Sequence, residues 1–184
     1  MSLTTYLNMP PIVFWITGLS GAGKSTVSHL LAKKMRSGNI PVLELDGDVL
    51  RAIFADATGH ATDDRLKLAQ SYARLCREVA TQGISVICAT VSMFHEVRLW
   101  NRKHIPGYRE IYLRVPLDEL KARDPKGLYA ASSRGELKNL VGLDLPAELP
   151  ENPDLTIDNH AGTSPQNAVE LIWKSFTNNR DSQK

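Results

Sequence analysis

Two kinds of apolar pattern alternate along the chain. Residues 12–17 (Ile-Val-Phe-Trp-Ile-Thr) are almost continuously apolar between Pro10-Pro11 and Gly18, which predicts a strand buried on both faces. Over 25–36 the apolar positions Val27, Leu30, Leu31 and Met35 recur at helical spacing, and Gly38 marks the stop. A second strand is predicted over 41–45, ending at Asp46-Gly47-Asp48. The stretch 62–82 reads as a helix, opened by Thr62, Asp63 and Asp64 and closed by Gly83. A third strand follows over 84–89, a helix over 94–103 and a fourth strand over 110–115. Residues 154–157 fit a short fifth strand. Ser164-Pro165 then gives a cap and a first position to a last helix with Val169, Ile172, Trp173 and Phe176 on one face.

Strands spaced by helices predict an α/β fold: a mainly parallel sheet with helices on both faces. Residues 124–153 break the rhythm with Pro125, Gly127, Gly135, Gly142, Pro146, Pro150 and Pro153, and they show no apolar face to anchor them. A segment that long between elements is expected to be functional, here a lid that is mobile when empty. The 184 residues suit one domain over 1–184. A mean hydropathy of −0.23, without an 18-residue apolar run, argues against a membrane-spanning helix. Twenty-two Lys and Arg against 20 Asp and Glu leave +2, too even for a nucleic-acid binder. Cys76 and Cys88 both fall in apolar-periodic segments, which predicts buried thiols in a reducing compartment rather than a disulfide framework or zinc site. Residues 1–9 lack a basic n-region; they are expected to be flexible, and the protein cytoplasmic.

Gly18-Leu19-Ser20-Gly21-Ala22-Gly23-Lys24-Ser25, followed by Thr26, fits G-x-x-x-x-G-K-[ST], with a predicted strand entering and an amphipathic helix leaving. Glycines let backbone N–H groups close on phosphate oxygens, and the helix N-terminus adds positive potential. Lys24 is then expected on the β- and γ-phosphates of ATP, and the Ser25 hydroxyl on Mg²⁺. No guanine-specifying N-K-x-D string is present. The third strand runs into Thr90-Val91-Ser92 rather than an Asp, so the carboxylates of the site are expected at the end of the second strand, at Asp46 and Asp48.

Further strings narrow this. Gly18 to Thr26, Leu45-Asp46-Gly47-Asp48 with Arg51, Asp64-Arg65, Ala122-Arg123-Asp124-Pro125-Lys126-Gly127-Leu128-Tyr129, Gly135-Glu136-Leu137-Lys138-Asn139 and Pro150-Glu151-Asn152-Pro153 together resemble the adenylylsulfate (APS) kinase family. The resemblance implies a P-loop kinase fold, commonly dimeric, that moves the γ-phosphate of ATP to the 3′-hydroxyl of adenosine 5′-phosphosulfate to give PAPS for sulfate assimilation. It implies that Asp46 lies near Mg²⁺ and the attacking hydroxyl, with Asp48 beside it. Arg51 and Arg65 would hold the acceptor's anionic groups, and Ser92 matches a serine of the phosphosulfate pocket that some members phosphorylate. Arg123, Lys126 and Lys138 would belong to the lid. A homodimer acting on small nucleotides, with no nucleic acid and no membrane partner, is the expectation.

The chain also departs from that family. Where members commonly have Leu-Gly-Phe it has Thr58-Gly59-His60, and Lys138-Asn139-Leu140-Val141-Gly142 replaces Lys-Asn-Phe-Thr-Gly, so His60 and Leu140 stand where two phenylalanines sandwich adenine. Asp64-Arg65-Leu66-Lys67-Leu68 lacks the family's final Asn, Val91-Ser92-Met93-Phe94-His95 replaces Ile-Ser-Pro-Tyr-Arg, and Ala130 and Ala131 replace lid lysines. The phosphate-handling half is kept and the acceptor-reading half is altered. A second acceptor therefore stays open: the region around Ser92–Glu96 and Trp100-Asn101-Arg102 resembles an APS-kinase-like branch that phosphorylates cytidine diphosphoramidate. A third reading, a nucleotide-binding regulatory module without turnover, is opposed by the joint presence of Asp46, Lys126 and Lys138.

Overall fold

A computed structural model describes residues 10–54, 61–160 and 162–177. Residues 1–9 and the string Thr58-Gly59-His60 lie outside the described residues. Five strands, β1 (Val13–Thr17), β2 (Val42–Asp46), β3 (Ser85–Ala89), β4 (Tyr108–Arg114) and β5 (Leu155–Asp158), form one sheet in the order β2-β3-β1-β4-β5. Every pairing is parallel. The fifth strand is real and sits at an edge.

β1 is buried along its whole length, and its alternate side chains serve two cores. Phe14 and Ile16 join Ile87, Ile111, Leu113 and Ile157 on one face. That face is covered by α1 (Lys24–Ser37), through Val27, Leu31 and Met35, and by the last helix, α7 (Pro165–Thr177), through Val169 and Ile172. Val13 and Trp15 join Val86 and Cys88 on the other face. There α3 (Thr62–Thr81) contributes Leu68, Tyr72, Ala73 and Cys76, and α4 (His95–His104) contributes Val97. Covering both faces explains why the strands read as unbroken apolar runs. Cys76 and Cys88 are free and buried.

Three short helices were not read from the pattern. α2 (Gly47–Phe54) continues directly from β2. Asp46 starts it by accepting a hydrogen bond from the Asp48 backbone N–H at 2.8 Å, an aspartate cap that the motif Asp46-Gly47-Asp48 conceals as a turn. α5 (Leu117–Arg123) and α6 (Leu128–Ser133) frame the start of the supposed lid. The expectation that residues 124–153 lack an apolar anchor is corrected here. Tyr129 and Leu140 are 2% and 8% exposed and belong to the first core. The segment is spaced too irregularly to show a periodic face, but it still buries individual anchors. Gly142, at φ +90°, is where its far end meets the phosphate loop: a Cβ there would lie 2.8 Å from the Leu19 side chain.

Candidate active site

All the strands run in one direction, so the loops after β1, β2, β3 and β5 gather at one edge of the sheet, where ligands of open α/β folds bind. A cleft of about 900 Å³ lies there, within the size range of nucleotide pockets. Its wall includes Ser20, Gly21, Gly23, Lys24, Ser25 and Thr26 from the phosphate loop, Asp46, Asp48 and Arg51 after β2, Arg65 from α3 and Ser92 after β3. Arg123, Lys126, Lys138 and Leu140 come to it from the far side. Gly18, Leu19 and Ala22 are not part of this wall; Ala22 is fully buried and Leu19 packs against Gly142.

The phosphate loop is held in shape by side chains. Gly21 and Gly23 adopt φ +79° and +87°, a left-handed conformation that glycine takes without strain. The Leu19 carbonyl accepts from Lys24 Nζ at 2.8 Å, the Ser20 carbonyl from the Tyr129 hydroxyl at 2.9 Å and the Ala22 carbonyl from Asn159 Nδ2 at 2.8 Å. Asn159, directly after β5 and 5% exposed, fills the space a Cβ on Gly23 would need. Its own carbonyl accepts from Arg123 at 2.8 Å, so one residue joins the loop to the base of the lid. Neither Tyr129 nor Asn159 was singled out from sequence for this role, although a polar residue just past a strand at the carboxyl edge was a legible signal.

Charge is graded across the site. Burial lowers Lys24 from 10.5 to about 8; the Lys126 cation adds to this, while Asp48 and Asp46 oppose it. Ser25 Oγ donates to Asp46 Oδ2 at 2.5 Å, so hydroxyl and carboxylate meet at one point. Two hard oxygens at a phosphate loop suit Mg²⁺, which takes few protein ligands and completes its shell with phosphate and water. Lys126 pairs with Asp48 across the cleft. Both side chains are about half exposed or more, so this bridge contributes roughly 1 kcal/mol at most. A contact that weak can open for substrate.

Elsewhere on the wall, Arg65 donates to the Asn139 carbonyl at 3.1 Å, tying α3 to the 124–153 segment. Burial first, and then the neighbouring Arg51 cation, push its guanidinium pKa down. Two cations side by side on one wall favour an anion between them. Ser92 Oγ shares a 2.7 Å hydrogen bond with Thr90 Oγ1. Lys138 is exposed, and Leu140 is largely buried behind the wall.

A phosphate loop on a 2-3-1-4-5 parallel sheet, with carboxylates after β2 and arginines opposite, defines a P-loop phosphotransferase for small molecules. The chain belongs to the adenylylsulphate kinase family, whose model matches residues 10–158. It is 38% identical over 169 residues (90% of this chain, 96% of the relative) to the cytidine diphosphoramidate kinase of Campylobacter jejuni. It is 40% identical over 146 residues (79% of this chain, 94% of the relative) to a probable adenylyl-sulfate kinase of Archaeoglobus fulgidus. The structure of the Mycobacterium tuberculosis APS kinase in complex with AMPPNP and APS superposes with a TM-score of 0.83 at 31% identity, covering 90% of this chain and 97% of that one. The chain is accordingly a kinase. Among the described residues no helix is long and apolar enough to cross a membrane.

Proposed function

We propose that the protein transfers the γ-phosphate of ATP to the ribose 3′-hydroxyl of a nucleotide carrying a modified 5′-phosphate, with APS as the first acceptor and PAPS and ADP as products. The observation that carries this is the pairing, across one cleft, of a complete phosphate loop with the Arg51–Arg65 wall. In this reading Lys24 leaves the Leu19 carbonyl for the β- and γ-phosphates, placing positive charge where it builds up during transfer. Ser25 and Asp46 would hold Mg²⁺, which when bound neutralises phosphate charge and orients the γ-phosphate. Asp46, with Asp48 beside it, would take the single proton of the acceptor hydroxyl as that oxygen bonds to the γ-phosphorus and the bond to the β-phosphate oxygen breaks, releasing ADP. Lys126 exchanges Asp48 for the transferring phosphoryl group, while Lys138 and Arg123 close over the nucleotides and exclude water that would hydrolyse ATP. Arg51, Arg65 and Ser92 hold the acceptor's 5′ arm, and Ser92 is the candidate for phosphorylation.

One specific observation favours a second acceptor, cytidine diphosphoramidate. Leu140 gives the base a flat aliphatic contact where an aromatic stack would be worth roughly 1–3 kcal/mol, and a smaller pyrimidine loses less by that exchange. The similarity to the Campylobacter enzyme, spanning nearly both chains, points the same way. The test is ADP release from ATP and Mg²⁺ with APS, cytidine diphosphoramidate and unmodified AMP and CDP. Acceptor-dependent release with one of the first two, and a 3′-phosphorylated product, is expected. Release that no acceptor accelerates overturns the reading.

A further inference from the structure

Among the described residues that line the cleft, one has a buried side-chain polar group left unsatisfied. Arg65, Leu68 and Tyr72 follow one another along α3 at three- and four-residue spacing, so they form a single stripe, and all three belong to the wall. Tyr72 is 3% exposed, its ring lying 6.0 Å from that of Phe54 within the second core. Among the described residues its hydroxyl finds no hydrogen-bond partner. Folded proteins pair nearly all buried hydroxyls, because an unpaired one loses its hydration with nothing in exchange. Packing alone would be served by phenylalanine. Of the residues with an unpaired buried polar side-chain atom among those described, Tyr72 is the one that also lines the cleft, so a ligand there is the group placed to pair it.

The surroundings indicate which ligand group it meets. Asp48, Arg51 and Arg65 line the same cleft as Tyr72, and Arg51, Cys88 and Asp48 lie within electrostatic reach of the phenol. Leu68, one turn earlier on the same stripe, offers no polar atom there. We propose that Tyr72 is an acceptor-binding residue whose hydroxyl donates a hydrogen bond to an anionic oxygen of the acceptor's modified 5′ arm, between Arg51 and Arg65. This rests on the reading of the cleft as a site for a 5′-modified nucleotide. It holds for either acceptor, because a phosphosulfate and a diphosphoramidate both present such an oxygen. Burial pushes the phenol up to about 12 despite the Arg51 cation, which acts the other way, so it remains a donor throughout the neutral range. Hydrogen bonds from neutral hydroxyls to anionic oxygens are the strong, short kind.

Tyr72→Phe removes the oxygen and keeps the ring. APS and cytidine diphosphoramidate are each titrated calorimetrically into wild type and variant with AMPPNP and Mg²⁺ present. Affinity for the acceptor that wild type binds should fall roughly tenfold, with the KM for ATP unchanged and the melting temperature unchanged or raised. Unaltered acceptor affinity overturns the proposal, whether or not the melting temperature falls; a fall would show that the hydroxyl serves the core. Wild type that binds neither nucleotide overturns the acceptor reading and this proposal with it, and that outcome is visible before the variant is made.

Discussion

Asn159 is the residue on which the shape of the phosphate loop most visibly depends, and Asn159→Ala measures that dependence. The substitution removes the 2.8 Å donor to the Ala22 carbonyl and vacates the space beside Gly23. A buried carbonyl deprived of its partner costs roughly 1–3 kcal/mol. Taking about 2 kcal/mol, with about 2–4 °C per kcal/mol for a chain of this size, the melting temperature should drop by about 4–8 °C. The functional effect should be one-sided, because the amide touches the loop that holds ATP and not the acceptor wall: KM for ATP rises several-fold while KM for the acceptor stays within twofold. A second variant sharpens the test. Gly23→Ala places a Cβ 2.8 Å from Asn159 Nδ2 at φ +87°, so it meets both a clash and backbone strain. With Asn159 already alanine only the strain remains, so the two costs should be less than additive. Scanning calorimetry and initial-rate kinetics on the four proteins suffice. An unchanged melting temperature together with an unchanged KM for ATP, or strict additivity with Gly23→Ala, would refute the reasoning.

Three further outcomes follow from the same geometry. Asp46→Asn keeps the shape and the Ser25 contact but removes the charge, so ATP binding in EDTA should stay within a few-fold while turnover with Mg²⁺ falls on the order of a hundredfold or more; near-normal turnover would move the role to Asp48. Lys24, lowered to about 8 in the empty site, must be protonated to hold phosphate, so ATP affinity should decline as pH rises through about 8 and binding there should take up protons, read by calorimetry in buffers of different ionisation enthalpy. Because its folded-state value lies below the 10.5 of the unfolded chain, the empty protein binds fewer protons than the unfolded one between about 8 and 10.5, and this group's contribution to stability rises across that window. Glu110→Gln strips the counter-ion from Arg98, which is 5% exposed and 3.2 Å away, and should destabilise by roughly 3–5 kcal/mol in a denaturant melt; a loss under 1 kcal/mol would mean that Arg102 and Asp154 rearrange to compensate.

The strands and long helices were legible because burial on both sheet faces forces continuous apolar runs, and a helix packed on one side repeats every three to four residues. Boundaries moved by one or two positions: β4 begins at Tyr108, two residues earlier than the pattern suggested, because Tyr108 is buried while Arg109 between it and Glu110 interrupts the run. The short helices were illegible for a different reason. α2, α5 and α6 have 8, 7 and 6 residues, too few for a period to declare itself, and they exist through caps and contacts. Asp124, for example, accepts from the backbone N–H groups of Tyr129 and Ala130 at 3.2 and 2.9 Å and so shapes the start of α6. The anchoring of residues 124–153 was illegible on the same ground: isolated anchors such as Tyr129 leave no periodic trace. In the site, the residues with a charge to contribute were all visible as motif. The ones that hold the motif in place, Asn159 and Tyr129, were not, because their partners are backbone carbonyls distant in sequence.

That contrast bears on where the acceptor is chosen. On the proposed reading ATP would be held largely through the backbone and fixed charge of the phosphate loop. The wall facing the phosphate loop includes Arg51 on α2, Arg65, Leu68 and Tyr72 on α3, Phe94 after β3 and Leu140; the side chains that hydrogen-bond the loop's carbonyls are others, Lys24, Tyr129 and Asn159. Leu68, Tyr72, Phe94 and Leu140 could therefore vary without disturbing ATP, and at Leu68, Phe94 and Leu140 the chain does part from the family pattern. Leu140 offers the cleft an aliphatic surface, and the buried Tyr72 phenol lies on the same α3 stripe as Leu68. An unpaired buried hydroxyl costs stability unless something pairs it. A ligand that pairs it would remove that cost, so on the proposal above the acceptor is held through Tyr72 and Arg51 at the 5′ arm as well as through its base.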